Sequence, residues 1–263
     1  MQAGAALFDE KEAKRLERVY LTPDVVAQRR EVVLALAPQP GEQVLDIGSG
    51  PGLLAIEMGE AVGPSGRVEG IDASAAMVAL ATERADGKPW IRFRQADAAT
   101  LPFPDASLDA ATATQVYLYV PDLACALAEL HRVLKPGGRA LILDTDWQSV
   151  VWHTTDGARM ARILSAWEEH FANGFIARTL PAMLHAAGFR LERANAHVLL
   201  NVGYEEESYS AGMLPMIRRF VPGRRGVTAD EAEAWFEELR ERGRDGSYFF
   251  SLNRYLFLAK KDG

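Results

Sequence analysis

The spacing of apolar residues along this chain changes period several times. From residue 9 to residue 37 it is helical. Leu16, Val19 and Tyr20 share one face, and Thr22-Pro23-Asp24 then reads as a helix start with proline in the first turn. Val25, Val26, Val32, Val33 and Leu36 continue the pattern until Pro38-Gln39-Pro40-Gly41 ends it. From Gln43 onward short apolar runs alternate with helical stretches. Strands are predicted at Val44–Ile47, Val68–Asp72, Ile91–Gln95, Leu108–Thr114 and Ala140–Leu143. Helices are predicted at residues 53–61, at Ala73–Arg84 opened by Ser74, and from about Asp122 to Leu134, with Pro136-Gly137-Gly138 as a turn. Strand and helix alternating at this interval predict βαβ units and a doubly wound, mostly parallel α/β sheet.

The second half is less regular. Arg159–Ala172 and Leu180–Ala187 read as helices, and Leu191–Leu200 and Phe249–Ala259 as strands; the polar, helical stretch 204–245 reads as an insertion before the last strand. The predicted organisation is an N-terminal helical cap over residues 1–40 and one α/β domain over 41–263, with segments 147–180 and 204–245 covering a substrate.

Asp46-Ile47-Gly48-Ser49-Gly50-Pro51-Gly52 lies directly after a strand and before a helix. Glycines there permit positive φ and close approach of backbone to a ligand, and in a doubly wound sheet such a loop sits where ligands bind. The third glycine follows the second by two residues, not three, and an acid ends the strand; both features disfavour a dinucleotide pyrophosphate and suit a ligand carrying an ammonium group. Asp72 ends the second strand, where a carboxylate accepts bonds from ribose hydroxyls. Asp97, in Gln95-Ala96-Asp97-Ala98, follows the third and is placed to accept a bond from an adenine amino group, with the Ala98 amide beside it. The alternative is structural: Asp46 capping a helix, Asp72 and Asp97 holding turns.

Composition narrows the partners. The 263 residues are 48% hydrophobic and 25% charged, with net charge −7, so the average surface repels a phosphate backbone. Cys125 is the single cysteine, expected to be buried on a helix, so neither an intramolecular disulfide nor a thiolate metal cage is open to the chain. No basic, apolar leader and no run of about 20 apolar residues is present. The expected setting is cytoplasmic, without nucleic acid or membrane span, as a monomer or homodimer.

In combination, Val44–Gly52, Gly70-Ile71-Asp72-Ala73-Ser74, Gln95–Ala98, Leu101-Pro102-Phe103-Pro104-Asp105 and Glu129–Gly138 closely resemble the class I S-adenosylmethionine-dependent methyltransferases, most of all the branch with the ubiquinone and menaquinone C-methyltransferases. The resemblance spans about residues 40–146. It implies a seven-stranded sheet whose last strand is antiparallel. It also implies S-adenosylmethionine as cofactor, with S-adenosylhomocysteine as product. Gly48, Ser49, Gly50 and Gly52 would lie along the methionine portion, Asp72 and Ala73 at the ribose, and Asp97, Ala98 and Met77 at the adenine. Thr114 and Gln115 end the fourth strand at the same site. Tyr20 and Arg29 are placed to reach the cofactor carboxylate from the cap, although exposed cap residues without a ligand role fit as well.

For the acceptor, the candidate bases are His153 and Tyr119, with His170 as a further histidine; imidazole titrates near neutrality and suits proton removal. Trp147, Trp152, Trp167, Phe171 and Phe175, with Met213, Leu214, Met216, Ile217, Phe220, Trp235 and Phe236 of the insertion, are either plain core or the lining of an apolar pocket. They favour an aromatic, polyketide or isoprenoid-type acceptor, at carbon more than oxygen. Arg218, Arg219, Arg224 and Arg225 read as a solvated basic face. No metal-ligand spacing occurs. A nicotinamide-dependent oxidoreductase and a non-catalytic S-adenosylmethionine-binding protein are the competing readings.

Overall fold

In a computed structural model, which describes residues 16–262, the chain forms one sheet with helices on both faces. Helix α1 is Pro23–Leu36. Then follow β1 Gln43–Ile47, α2 Leu53–Val62, β2 Arg67–Asp72, α3 Ala75–Arg84, β3 Ile91–Gln95 and β4 Leu108–Thr114. A 3-10 turn at Tyr117–Tyr119 leads to α4 Leu123–Val133, β5 Leu134–Thr145 and the two-residue β6 Val151–Trp152. The remainder is α5 Gly157–Glu168, α6 Leu180–Ala186, β7 Phe189–Val202, α7 Tyr209–Phe220, α8 Ala229–Arg244 and β8 Phe249–Lys261. Residues 16–20 are also helical, while the first part of the expected cap helix, residues 9–15, lies outside the described residues.

The seven long strands run in the order β3-β2-β1-β4-β5-β8-β7. β3 through β5 are parallel, and β8 inserts antiparallel between β5 and β7, as expected. The added β6 extends the β5 side of β8 by two residues. The expected turn at Pro136-Gly137-Gly138 is instead part of β5. The pairing with β4 slips between Leu108 and Ala110, a bulge that absorbs this stretch without ending the strand.

Two cores flank the sheet. Val32 and Leu36 of α1 and Leu54, Ala55, Met58 and Val62 of α2 pack with Val44, Val68, Leu141, Leu143 and Leu256. Leu45, Ile47, Ala111, Ala113 and Ile142 face the other way, onto α4 (Leu127, Leu130, Val133) and α6 (Leu180, Leu184). Successive strand residues thus serve opposite faces, which is why these strands read as continuous apolar runs. Met213, Leu214, Ile217, Trp235 and Phe236 of the insertion join the second core, so most of its apolar residues are packing. Cys125 departs from expectation: it is exposed, on the outer face of α4.

Strand order reverses between β1 and β4, because β2 lies on one side of β1 and β4 on the other. The loops that leave these two strands therefore diverge and open a crevice at their carboxyl ends.

Candidate active site

The glycine loop crosses that crevice. Gly48, Gly50 and Gly52 adopt φ of 65°, 51° and 81°, left-handed values that L side chains seldom take. At Gly48 a Cβ would lie 2.4 Å from Val116 Cγ2, so the β1 and β4 loops touch only because that side chain is missing. At Gly52 a Cβ would lie 2.8 Å from Phe93 and 2.9 Å from Ala81. Gly50 has space, its nearest neighbour being Tyr20 Cε2 at 3.7 Å.

Carboxylates flank this bend. Asp46 is 2% exposed and its Oδ2 has no partner. Burial, then the charge of Asp72, pushes its carboxyl up to about 8, with the Ala55 amide opposing. Asp72 accepts from the Gly50 amide (2.9 Å) and the Ser74 amide (2.8 Å), and burial raises it against those two bonds. Each oxygen keeps a further lone pair. Ser49 donates its amide to the Ile71 carbonyl at 2.8 Å, and its buried Oγ has no partner. Two orphaned polar atoms inside a tight bend fit a ligand carrying donors, such as an ammonium group and a ribose.

The expected adenine end is laced to the sheet. Gln95 Nε2 donates to the Ala73 carbonyl (2.8 Å), and the Ala96 amide to the Asp72 carbonyl (3.1 Å). Met77 is 2% exposed in the first turn of α3, where Ser74 Oγ caps its amide. Asp97 is exposed and its Oδ1 accepts from the Ala99 amide at 2.8 Å, so it holds a turn and keeps Oδ2 outward; Ala98 is half-buried beside it.

The cap reaches the bend through Tyr20, whose hydroxyl burial and Asp72 together keep protonated. Arg29 is 8% exposed. Its Nε donates to Glu57 Oε1 at 2.9 Å and its Nη1 to the Tyr20 carbonyl at 2.6 Å, so it fastens the cap residue to α2, with Nη2 left over among the described residues. After β4, Thr114 Oγ1 lies 3.4 Å from Thr112 Oγ1. Gln115 is a non-glycine residue at φ 60°, held there by its amide on Leu143 O (2.8 Å) and by Thr145 Oγ1 donating to its Oε1 (2.6 Å). Strain of this kind persists only where surrounding bonds over-determine it, and it collects at ligand sites.

After these residues comes a packed cluster of aromatic rings. His170 stacks on Trp167 (4.5 Å between centroids) and meets Tyr119 and Phe220 edge-on. Trp147 stacks on Phe171 at 5.2 Å. Burial, then Arg224, lowers His170 to about 4, so it is neutral at physiological pH. Burial keeps Tyr119 protonated well above the ordinary phenol range, so it can donate a hydrogen bond and cannot remove a proton. Polar atoms here also lack partners, namely His170 Nδ1, Trp147 Nε1, Trp167 Nε1 and Tyr117 Oη, while the buried Asp144 carboxyl faces the amides of residues 116–118 and the charge of Arg254.

His153 is not brought to this group. It is exposed, its amide pairs with Phe249 O and its Nδ1 lies 2.8 Å from Ser247 O, at the join of α8 and β8. The basic cluster is a solvated face: Arg218 pairs with Glu233, Arg225 with Glu169, and Arg224 stacks on Phe220.

Three buried residues of the site were not singled out from the sequence: Gln28, Tyr209 and Arg254. Arg254 is 3% exposed. Its register with the inward-facing Leu252 and Leu256 was the available signal, since an arginine on the buried side of a strand is rare.

No helix among the described residues is long and apolar enough to cross a membrane, and none of their side chains forms a group placed to hold a metal. Residues 45–142 match the family described as a methyltransferase domain. An uncharacterized 37.1 kDa protein of a Streptomyces fradiae transposon is 33% identical over 91% of this chain and 68% of its own length. The 2-phytyl-1,4-naphthoquinone methyltransferase of Synechococcus elongatus is 43% identical over 44% of this chain and 51% of its own. This chain thus spans about half the length of its quinone methyltransferase relatives. In solved structures the fold recurs in the phosphoethanolamine N-methyltransferase 2 of Haemonchus contortus bound to S-adenosyl-L-methionine, at TM-score 0.64 and 19% identity, over 98% of this chain and 58% of that one. With the glycine bend, its two carboxylates and the strand order in place, the chain belongs to the class I S-adenosylmethionine-dependent methyltransferases, in the branch of the ubiquinone and menaquinone enzymes.

Proposed function

We propose that this chain methylates a small, hydrophobic acceptor of aromatic, polyketide or isoprenoid type, at carbon in preference to oxygen. The observation that carries the reading is the three-glycine bend flanked by Asp46 and Asp72, in a fold that also packs the rings of Tyr119, Trp147, Trp167, His170 and Phe171 together after β4 and β5. The names of the quinone methyltransferase relatives support the acceptor class.

When bound, S-adenosylmethionine supplies an electrophilic methyl whose departure leaves a neutral thioether, so no departing anion needs stabilising. The work of the protein is alignment and exclusion of water. In this reading Asp46 and Ser49 hold the ammonium end and Asp72 the ribose. Ala73, Met77, Asp97 and Ala98 border the adenine. Gly48, Gly50 and Gly52 let the backbone come close. Thr114 and Gln115 form the floor between cofactor and acceptor. Tyr20 closes the bend from the cap, and Arg29 holds Tyr20 in place with its last donor toward the cofactor carboxylate. Tyr119 donates to an acceptor oxygen, and the surrounding indole and phenyl rings keep water out.

The segments 147–180 and 204–245 cover the acceptor. Asp24 of α1 supports this cover by accepting from the Tyr209 amide (2.8 Å) and from Asn201, so cap and insertion are tied together.

The test is transfer of label from methyl-labelled S-adenosylmethionine to a panel of naphthohydroquinones, hydroxyarenes and polyketide enols, with product atoms assigned by NMR. Tight S-adenosylhomocysteine binding with no labelled product across the panel would favour a binding protein over an enzyme.

A further inference from the structure

The charge of Arg254 acts on the buried carboxyl of Asp144 from beyond ion-pair distance. Among the described residues no carboxylate lies within 4.0 Å of its guanidinium, although the side chain is 3% exposed. Its contacts are neutral. Nε donates to Thr145 Oγ1 at 3.1 Å, Nη1 donates to Gln28 Oε1, and the guanidinium carbon lies 4.5 Å from the centroid of the Tyr209 ring. A buried guanidinium without a close ion pair is costly unless something compensates it.

Its position gives the charge a use. Thr145 Oγ1 also donates to Gln115, so Gln115, Thr145 and Arg254 form one rung across the carboxyl ends of β4 and β5 and the facing amino-terminal half of the antiparallel β8. The rung starts at the floor of the cofactor crevice and ends two strand spacings away, roughly 10 Å, the length of a one- or two-ring molecule. The positive charge acts on the hydroxyls of Tyr20, Tyr119 and Tyr209, which come from the cap, the β4 loop and the insertion. All three phenols are raised by burial and stay protonated, and His170 is pushed down to about 4. This group therefore combines a strong cation with neutral donors, and the carboxyl of Asp144 beside them is raised by burial against the amides of residues 116–118 and the Arg254 charge.

We propose that Arg254 is the acceptor-recognition residue, and that it binds the acceptor as the ionised oxygen of a phenol or enol. The inference rests on the methyl-transfer reading and adds the charge state of the substrate. On binding, the O–H bond breaks, its electron pair stays on the oxygen facing Arg254, and the proton leaves to water. The delocalised anion places nucleophilic density on the adjacent ring or enol carbon. The Arg254 charge does the activation that a general base would otherwise perform.

The experiment uses the full chain saturated with S-adenosylhomocysteine and the chromogenic probe 4-nitro-1-naphthol, read by its naphtholate absorbance. Wild type is expected to lower the apparent pKa of the bound probe by about one unit, a tenfold preference for the anion. R254K should keep part of the shift and R254M should lose it, with S-adenosylhomocysteine affinity changed less than about twofold in calorimetry. The neutral 1-nitronaphthalene should compete at least tenfold more weakly.

Equal competition by 1-nitronaphthalene, or an unshifted wild-type titration, overturns the proposal even if R254M does not fold. Tenfold stronger displacement by 1-naphthoate assigns the subsite to carboxylates and overturns it too. So does a tenfold loss of S-adenosylhomocysteine affinity in R254M with 5′-methylthioadenosine binding intact, because Arg254 would then hold the cofactor carboxylate. Failure of wild type to bind S-adenosylhomocysteine at all would strike the methyl-transfer reading instead.

Discussion

Asp46→Asn isolates one buried charge from the shape of the glycine bend. In the ligand-free protein the Asp46 carboxyl is raised to about 8, by burial first and by Asp72 second. At pH 6 only about one molecule in a hundred carries the anion that would face the cofactor ammonium, and at pH 8 about half do. If binding requires the anion, apparent affinity falls in proportion to that fraction. S-adenosylhomocysteine should therefore bind on the order of 50-fold more tightly at pH 8 than at pH 6, releasing close to one proton at pH 6.5–7. A carboxamide cannot ionise, so the D46N protein should bind at every pH about as weakly as wild type does at pH 6. Calorimetry in buffers of different ionisation enthalpy reads both affinity and proton release.

The same group gives a stability signature of opposite sense. Its folded pKa lies above its unfolded one, so the contribution is whole below about pH 4 and is lost as pH rises toward 8. Ligand-free wild type should lose about 1.4 kcal/mol per pH unit across that window relative to D46N. A flat affinity profile from pH 6 to 8.5, or an equally sloped profile for D46N, would refute the assignment of Asp46 to the ammonium.

Four further outcomes follow from the geometry. Gly48→Ala should abolish S-adenosylhomocysteine binding and lower the Tm, since its Cβ meets Val116 at 2.4 Å. Adding Val116→Ala should recover much of the Tm and leave a residual cost of about 1–2 kcal/mol for the left-handed backbone. Glu238 accepts from Thr154, Thr155 and Arg159; although burial pushes it up, these bonds bring it down to about 2. Its contribution is present above the ordinary carboxylate pKa and is lost as pH falls toward 2, so Glu238→Gln should destabilise by up to about 3 kcal/mol at pH 7 and progressively less in acid melts. His153→Ala should change turnover less than about twofold, whereas Tyr119→Phe should lower kcat with little change in S-adenosylhomocysteine affinity, as steady-state kinetics and calorimetry will show. Trp167→Ala leaves a cavity among Trp147, Phe171 and Phe220 and should cost about 3–5 kcal/mol in denaturant unfolding.

Much of the cofactor side was legible in the chain because its signals are local. Gly48, Gly50 and Gly52 answer to backbone φ at their own positions, and Asp46 and Asp72 end strands whose apolar runs mark the boundary. The five parallel strands and their helices were readable for the same reason, since both periods are set by neighbours a few residues apart. The Pro136-Gly137-Gly138 stretch was misread because a bulge lets a strand absorb residues that elsewhere make a turn. Cys125 was misplaced because one turn of helix offers inward and outward positions that a single residue type does not distinguish.

The residues proposed for the acceptor are brought together by tertiary structure. Gln28, Tyr119, Thr145, Tyr209 and Arg254 come from five separate elements, and no spacing along the chain relates them. Only closure of the sheet, with β8 slotted between β5 and β7, sets Arg254 against Thr145, and only the docking of α1 and α7 removes water from it. A side chain's identity is local, but its desolvation and its partners are sums over everything packed around it. The sequence could therefore place the glycine bend, while the folded chain had to show which charges are buried beside it.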